Sequence, residues 1–285
     1  MESLTTLNNL PRSSQNHTTV LLAAFEGWND AGGAASEALQ YLTRVWDFTE
    51  QTGFNDDEYF IYTQQRPLMM SQPDGPAEIH WPELSVSETT LPDQNIRLIV
   101  LTGPEPAQRW KTFIDEFYAL AQRLDVDTVL FLGALMAETP HTRPFPVEVT
   151  SESPLLRQLP LVERTTYTGP TGITGVTALA APDNLPAASL WVSVPHYVGH
   201  PPHPKATLAL LRSLETLLGI AIPLRPFEDE MDAWERGAAE LLEEESELAD
   251  YVRQLESIYD AENPTTPSGE DIAAEFEQFL KRREQ

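Results

Sequence analysis

The sequence predicts an α/β fold, a mainly parallel sheet with crossover helices, followed by a C-terminal α-helical extension. Three observations predict it. Short apolar runs bounded by polar residues recur at 20–25, 96–101 and 127–132, as strands buried on both faces do. Segments with apolar residues three and four apart stand between them, which makes strand, helix and strand repeat as crossovers of a mainly parallel sheet. Beyond Pro223 the chain turns acidic and helical: residues 224–285 carry 19 acidic and 6 basic side chains.

The first strand, 20–25, leads into Phe25-Glu26-Gly27-Trp28-Asn29-Asp30-Ala31-Gly32-Gly33. Ala34, Ala38, Leu39, Leu42 and Val45 then share one helical face. A glycine-rich loop that opens a helix presents free backbone N–H groups and a partial positive charge, a cradle for an anion. The spacing is not that of a dinucleotide fingerprint, and no lysine stands where a P-loop needs one. Asn29 or Asp30 is also able to cap the helix with its own side chain and fill the donor site. The loop reads first as an architectural turn and second as a small-ligand site.

Residues 58–63 have strand propensity, and 64–75, with Pro67, Pro73 and Gly75, read as a loop. Short strands are predicted at 78–81 and 83–89. Residues 107–124 form a helix with Trp110, Phe113, Ile114, Phe117, Leu120 and Leu124 on one side. Residues 147–150 and 190–194 complete the strands. A helix over 205–218 ends at Gly219. In the extension, Met231, Trp234, Ala238, Leu241, Leu248, Val252, Leu255 and Tyr259 form a heptad-like seam, able to pack on the core or on another subunit. A last amphipathic helix carries Ile272, Phe276, Phe279 and Leu280. The organisation is thus a flexible arm (1–17), a core domain (18–223) and an acidic helical extension (224–285).

Composition bounds the function. The 285-residue chain has no cysteine, which excludes disulfides, thiol catalysis and cysteine metal sites. A formal charge of −26 argues against nucleic acid and anionic membrane surfaces, which need clustered Lys and Arg. No run of 18 apolar residues and no basic leader are present, so a cytoplasmic protein is expected.

Three loops follow strands and carry polar chemistry. Trp28, Asn29, Asp30 and Gly32 lie in the first. His141 and Arg143 lie in the proline-stiffened second, where an imidazole and a guanidinium suit acid–base work or a carboxylate or phosphate. Gly172 lies in the third, and His196 begins a segment of four prolines and three histidines at 195–204. His196, His200 and His203 do not fall on one regular face, so neither a metal nor a cofactor is expected. No G-x-S-x-G is present, and no residue is assigned as catalytic.

Gly27-Trp28-Asn29-Asp30-Ala31-Gly32-Gly33, Leu132-Gly133-Ala134, Pro140-His141-Thr142-Arg143-Pro144, Gly172-Ile173-Thr174-Gly175 and Val194-Pro195-His196-Tyr197 together resemble the PAC2 family, named for proteasome assembly chaperone 2. They follow the order of its bacterial, actinobacterial-type members, which also carry a long C-terminal segment. The resemblance implies a three-layer α/β/α sandwich of the phosphorylase/hydrolase type, self-assembly into trimers or larger rings, and no agreed catalytic set. Relatives that dock on proteasome subunits end in a hydrophobic–Tyr–any-residue tail. This chain ends Leu280-Lys281-Arg282-Arg283-Glu284-Gln285, so the fold transfers better than the proteasome role. Two functional readings follow: a non-enzymatic, self-associating assembly protein, or a binder or enzyme of a nucleoside- or phosphate-type small molecule that uses the loops at the sheet's end.

Overall fold

The computed structural model describes residue 7 and residues 17–263, apart from 55, 73, 74, 92, 94, 199 and 245. Most of the expected arm and the amphipathic helix expected around Ile272–Leu280 lie outside the described residues.

The first strand, β1 (Thr18–Glu26), occupies the middle of an eight-stranded sheet. Its neighbours are β6 (Ile96–Pro104) and β7 (Thr128–Ala137), both parallel to it, and β10 (Ala187–Pro195) runs parallel on the far side of β7. The edges are antiparallel. β5 (Ser85–Leu91) pairs with β6, and β2 (Thr49–Gln51) with β5, while β8 (Val147–Thr150) pairs with β10. β9 (Val162–Glu163) closes that side, parallel to β8. The predicted parallel sheet is therefore the central four strands.

Burial explains why those strands read as unbroken apolar runs. Val20, Leu22 and Ala24 face one core cluster; Leu21, Ala23 and Phe25 face another. The first cluster packs on α1 (Ala34–Val45) and α4 (Pro204–Leu218), the second on α2 (Trp110–Arg123) and α3 (Ile173–Leu179). The result is a central sheet between two helical layers, each burying an apolar stripe.

Two expectations are corrected. Residues 58–63 form no strand. A 3-10 turn over Asp56–Glu58 leads Tyr59 and Phe60 into the core beneath α2. The Tyr59 carbonyl accepts from the N–H groups of Ala107 (2.9 Å) and Gln108 (3.3 Å), so its hydrogen bonding goes to the approach to α2 and not to a ladder. Aromatic strand propensity here reported burial, which is much of what that propensity measures. The stretch 64–75, read as loop, contains β3 (Leu68–Met70), paired antiparallel with β4 (Glu78–His80) as a separate two-stranded sheet.

The extension forms α5 (Arg225–Glu244) and α6 (Ser246–Glu262). Lys205 bonds Glu235 of α5 and the His141 carbonyl, both at 2.6 Å, and Glu256 of α6 bonds Thr142 next door. One straight helix would hold residues 235 and 256 about 31 Å apart at 1.5 Å per residue. The two helices therefore fold back on one another across the core. The predicted seam is used inside the chain: Ala238, Val252 and Leu255 are buried, and Met231 and Trp234 pack on the α1/α4 cluster.

Candidate binding site at the carboxyl end of the sheet

The connections from β1 and β7 leave toward opposite edges of the sheet, which opens a crevice at their carboxyl ends where α/β proteins place ligands. The Gly27–Gly33 loop occupies that crevice. The Asn29 carbonyl accepts from the Ala134 N–H at 2.8 Å, and Asp30 bridges to Ala134. Asp30 is buried, and its carboxylate accepts from the N–H groups of Ala35 (2.6 Å) and Ser36 (3.3 Å) and from the Ser36 hydroxyl. Burial pushes its pKa up, against these bonds, which pull it down. Glu26 is also pushed up, by burial first and by Asp30 second. The N-terminus of α1 thus holds the chain's own carboxylate.

Helix α3 is filled in the same way. Glu105, between Pro104 and Pro106, accepts from the Ile173 N–H at 2.8 Å and from the Asn29 side-chain amide at 2.7 Å. Asn29 is buried against Gly172; its Oδ1 has no hydrogen-bond partner among the described residues. A Cβ on Gly32, whose φ is +67°, would lie 2.8 Å from His203 Cβ. The first loop therefore meets the third loop through Asn29 and the 195–204 segment through Gly32.

His141, Arg143 and His196 belong to the seat of the α5–α6 hairpin. The Tyr197 hydroxyl accepts from the His141 N–H at 2.8 Å and reaches its Nδ1 at 2.9 Å. Burial, with Lys205 second, lowers the His141 pKa. Arg143 donates from Nε and a terminal nitrogen to the two oxygens of Asp260, each at 2.8 Å, and holds that carboxyl below its usual value. The His196 ring lies 5.6 Å from those of Tyr197 and Tyr251. His203 is buried with its ring 4.3 Å from Trp234 and 5.4 Å from Phe145. Its Nδ1 accepts from the Ala206 N–H and caps α4, while its Nε2 has no partner among the described residues. Among the described residues no group of three or more His, Asp or Glu side chains is placed to hold a metal ion.

Trp28 stands elsewhere, 64% exposed, at the mouth of a cavity of about 690 Å³. The floor is the sheet face of β8 and β10 with the Trp191 ring. That ring lies over Gly133, where a Cβ would be 2.5 Å from it. The loop through Tyr167, Gly169 and Thr171 and the side of α3 at Leu179 make the wall. Leu135, Met136, Tyr167 and Leu179 are all exposed at or near this mouth. A second exposed apolar surface is the β3–β4 sheet, with Leu68, Met69, Met70, Ile79 and the adjacent Trp81 open to solvent.

Reasoning from the sequence missed Glu105, Lys205, Glu148 and Trp191, and placed Trp234 in the helical seam without its partner His203. A lone acid between two prolines just after a strand was the available signal for Glu105. The others are recognisable only once distant elements are brought together.

A glycine-rich first loop seated in the sheet's crevice, a proline-rich second loop and a docked helical extension define a recognisable type of α/β protein, and comparison places it. A model of the PAC2 family matches residues 24–242; the chain belongs to the PAC2 family. Among solved structures it is similar to a PAC2 family protein from Streptomyces avermitilis, with 42% identity over 82% of this chain and 99% of that one and a TM-score of 0.76. It is also similar to a proteasome-assembly chaperone homologue of Mycobacterium tuberculosis, at 44% identity, the same shares and a TM-score of 0.74. A Corynebacterium glutamicum protein of unknown function matches at 29% identity over 88% and 94% of the two chains, with a TM-score of 0.78. No curated protein matches.

Proposed function

We propose that this protein is a non-enzymatic assembly or interaction protein that associates with copies of itself, in trimers or larger rings. The observation that carries the reading is the β3–β4 sheet. Five large apolar side chains stand open on or beside two three-residue strands, Met69 at 78% exposure. A two-stranded sheet is marginally stable by itself, and contiguous apolar surface of this kind marks an interface. The PAC2 family membership and the similarity to a proteasome-assembly chaperone homologue support it. So does the engagement of Asp30, His141 and Arg143 in bonds that hold the chain together. Native mass spectrometry at micromolar concentration tests it. The chain is expected to be oligomeric and the Met69→Asp/Ile79→Asp variant monomeric; a monomeric parent chain would overturn the reading. Proteasome subunits are a second partner class, tested by co-purification from a host that has them.

One observation favours a second reading, a small-molecule binding protein: the cavity beside Trp28, in the size range of ligand sites. A thermal-shift screen of nucleosides, phosphate and small organic ions tests it, and no shift with any of them would remove it.

A further inference from the structure

We infer that the cavity over Trp191 binds a small organic cation, an ammonium or guanidinium group on an apolar body. The inference rests on the small-molecule reading and is independent of self-association, because the β3–β4 surface does not line this cavity.

The lining decides the charge of the ligand. Its formally charged side chains at neutral pH, among the described residues, are Glu148 and Glu152, with neither Lys, Arg nor His. A phosphate or carboxylate entering here would lose water and meet no cation to replace it. The helix N-termini nearby offer no substitute, since Asp30 and Glu105 already fill them. A cation meets the opposite situation. Glu152 is paired with Arg164 at 3.0 Å, whereas Glu148 makes no ion pair among the described residues. Glu148 lies directly across the antiparallel β8–β10 pair from Trp191, which puts the two Cβ atoms about 5 Å apart. The Trp191 ring leans from there over Gly133 of β7, so a cation held by this carboxylate enters a cavity floored by the same indole, the aromatic ring that attracts cations most strongly.

The rest of the lining suits the ligand's body. Trp28 and Tyr167 stand at the mouth, both mostly exposed. The Tyr167 hydroxyl is turned back to the Pro170 carbonyl at 2.7 Å, which fixes the ring's position beside the opening. A charge of −26 on the whole chain raises the local concentration of any cation near it.

Isothermal titration calorimetry with benzyltrimethylammonium tests the inference, with benzoate and benzyl alcohol as the anionic and neutral aromatic counterparts. The expected result is saturable one-to-one binding of the cation, at least tenfold tighter than either counterpart. Glu148→Gln is expected to weaken it at least fivefold, and Trp28→Ala to weaken it while leaving the fold intact, since that ring is mostly exposed. Glu78→Gln, on β4 and outside the cavity lining, is expected to leave it unchanged. Equal binding of all three aromatics, or full binding by Glu148→Gln, would overturn the ligand class and leave the cavity a binding site. No binding by any of them would overturn the inference and count against the small-molecule reading with it.

Discussion

The side chain of Asn29 fills the space that a side chain at Gly172 would need: a Cβ on residue 172 would lie 2.2 Å from Asn29 Oδ1. The contact ties the loop after β1 to the N-terminus of α3, and Glu105 bonds both. Gly172→Ala is therefore expected to destabilise the fold by about 1–3 kcal/mol, the usual range for overpacking a filled site. Urea unfolding gives the value. Adding Asn29→Ala opens the space, so the double variant is expected to lose less than the sum of the single losses. Strict additivity would show that the two residues do not meet.

Gly133 supports the cavity floor in the same steric manner. Because its missing side chain leaves room for the Trp191 ring, Gly133→Ala must displace that ring. We expect a loss of about 1–3 kcal/mol and a shifted tryptophan emission maximum. An unchanged spectrum would mean that the indole does not lie on the glycine.

The burial of His203 makes stability depend on pH. Burial chiefly, with Lys205 and His141 adding to it, lowers the His203 pKa to about 4, while an unfolded histidine titrates near 6.5. Between those values the unfolded chain carries the proton and the folded chain does not, so stability falls as pH drops from 6.5 toward 4. The size is on the order of 3 kcal/mol, and His141, also lowered, acts in the same direction. His203→Asn keeps an acceptor for the α4 cap and removes the titration. Urea midpoints at pH 7 and pH 5 are expected to differ less for that variant than for the parent.

Arg143 anchors α6 through paired hydrogen bonds to Asp260. Lysine retains the charge and loses the two-pronged geometry. Arg143→Lys is expected to leave the urea midpoint of the core nearly unchanged and to raise amide exchange in α6 several-fold, more strongly at high salt. Protection in α6 equal to that of the parent would mean that packing of Val252 and Leu255 suffices to seat the hairpin.

The central layer and its helices were legible in the sequence because their signals are local. Val20–Phe25 is apolar on both faces because the strand is buried on both faces, and Gly219 ends α4 with a φ of +66° because that turn favours a glycine. The architectural reading of the first loop, with Asn29 or Asp30 as a helix cap, followed from side-chain chemistry within six residues, and Asp30 is the one that caps. Local signals misled at residues 58–63, where aromatic side chains entered the core from a turn. They could not place His141 and Arg143, whose partners stand more than a hundred residues away on α6 or beyond the end of the neighbouring strand β10, at Tyr197.

The α/β layers, the acidic helical extension and, through its motifs, the family are written in the order of residues along the chain. Tertiary structure decided what each loop residue touches. It set Glu105 into the N-terminus of α3, folded the heptad-like seam back onto its own core and opened the cavity over Trp191. The physical reason is range. Periodicity, capping and turn geometry act over a few residues and are written in order along the chain. A cavity or a filled anion site depends on which distant side chains arrive at the same place, and that is settled only when the strands take their order in the sheet.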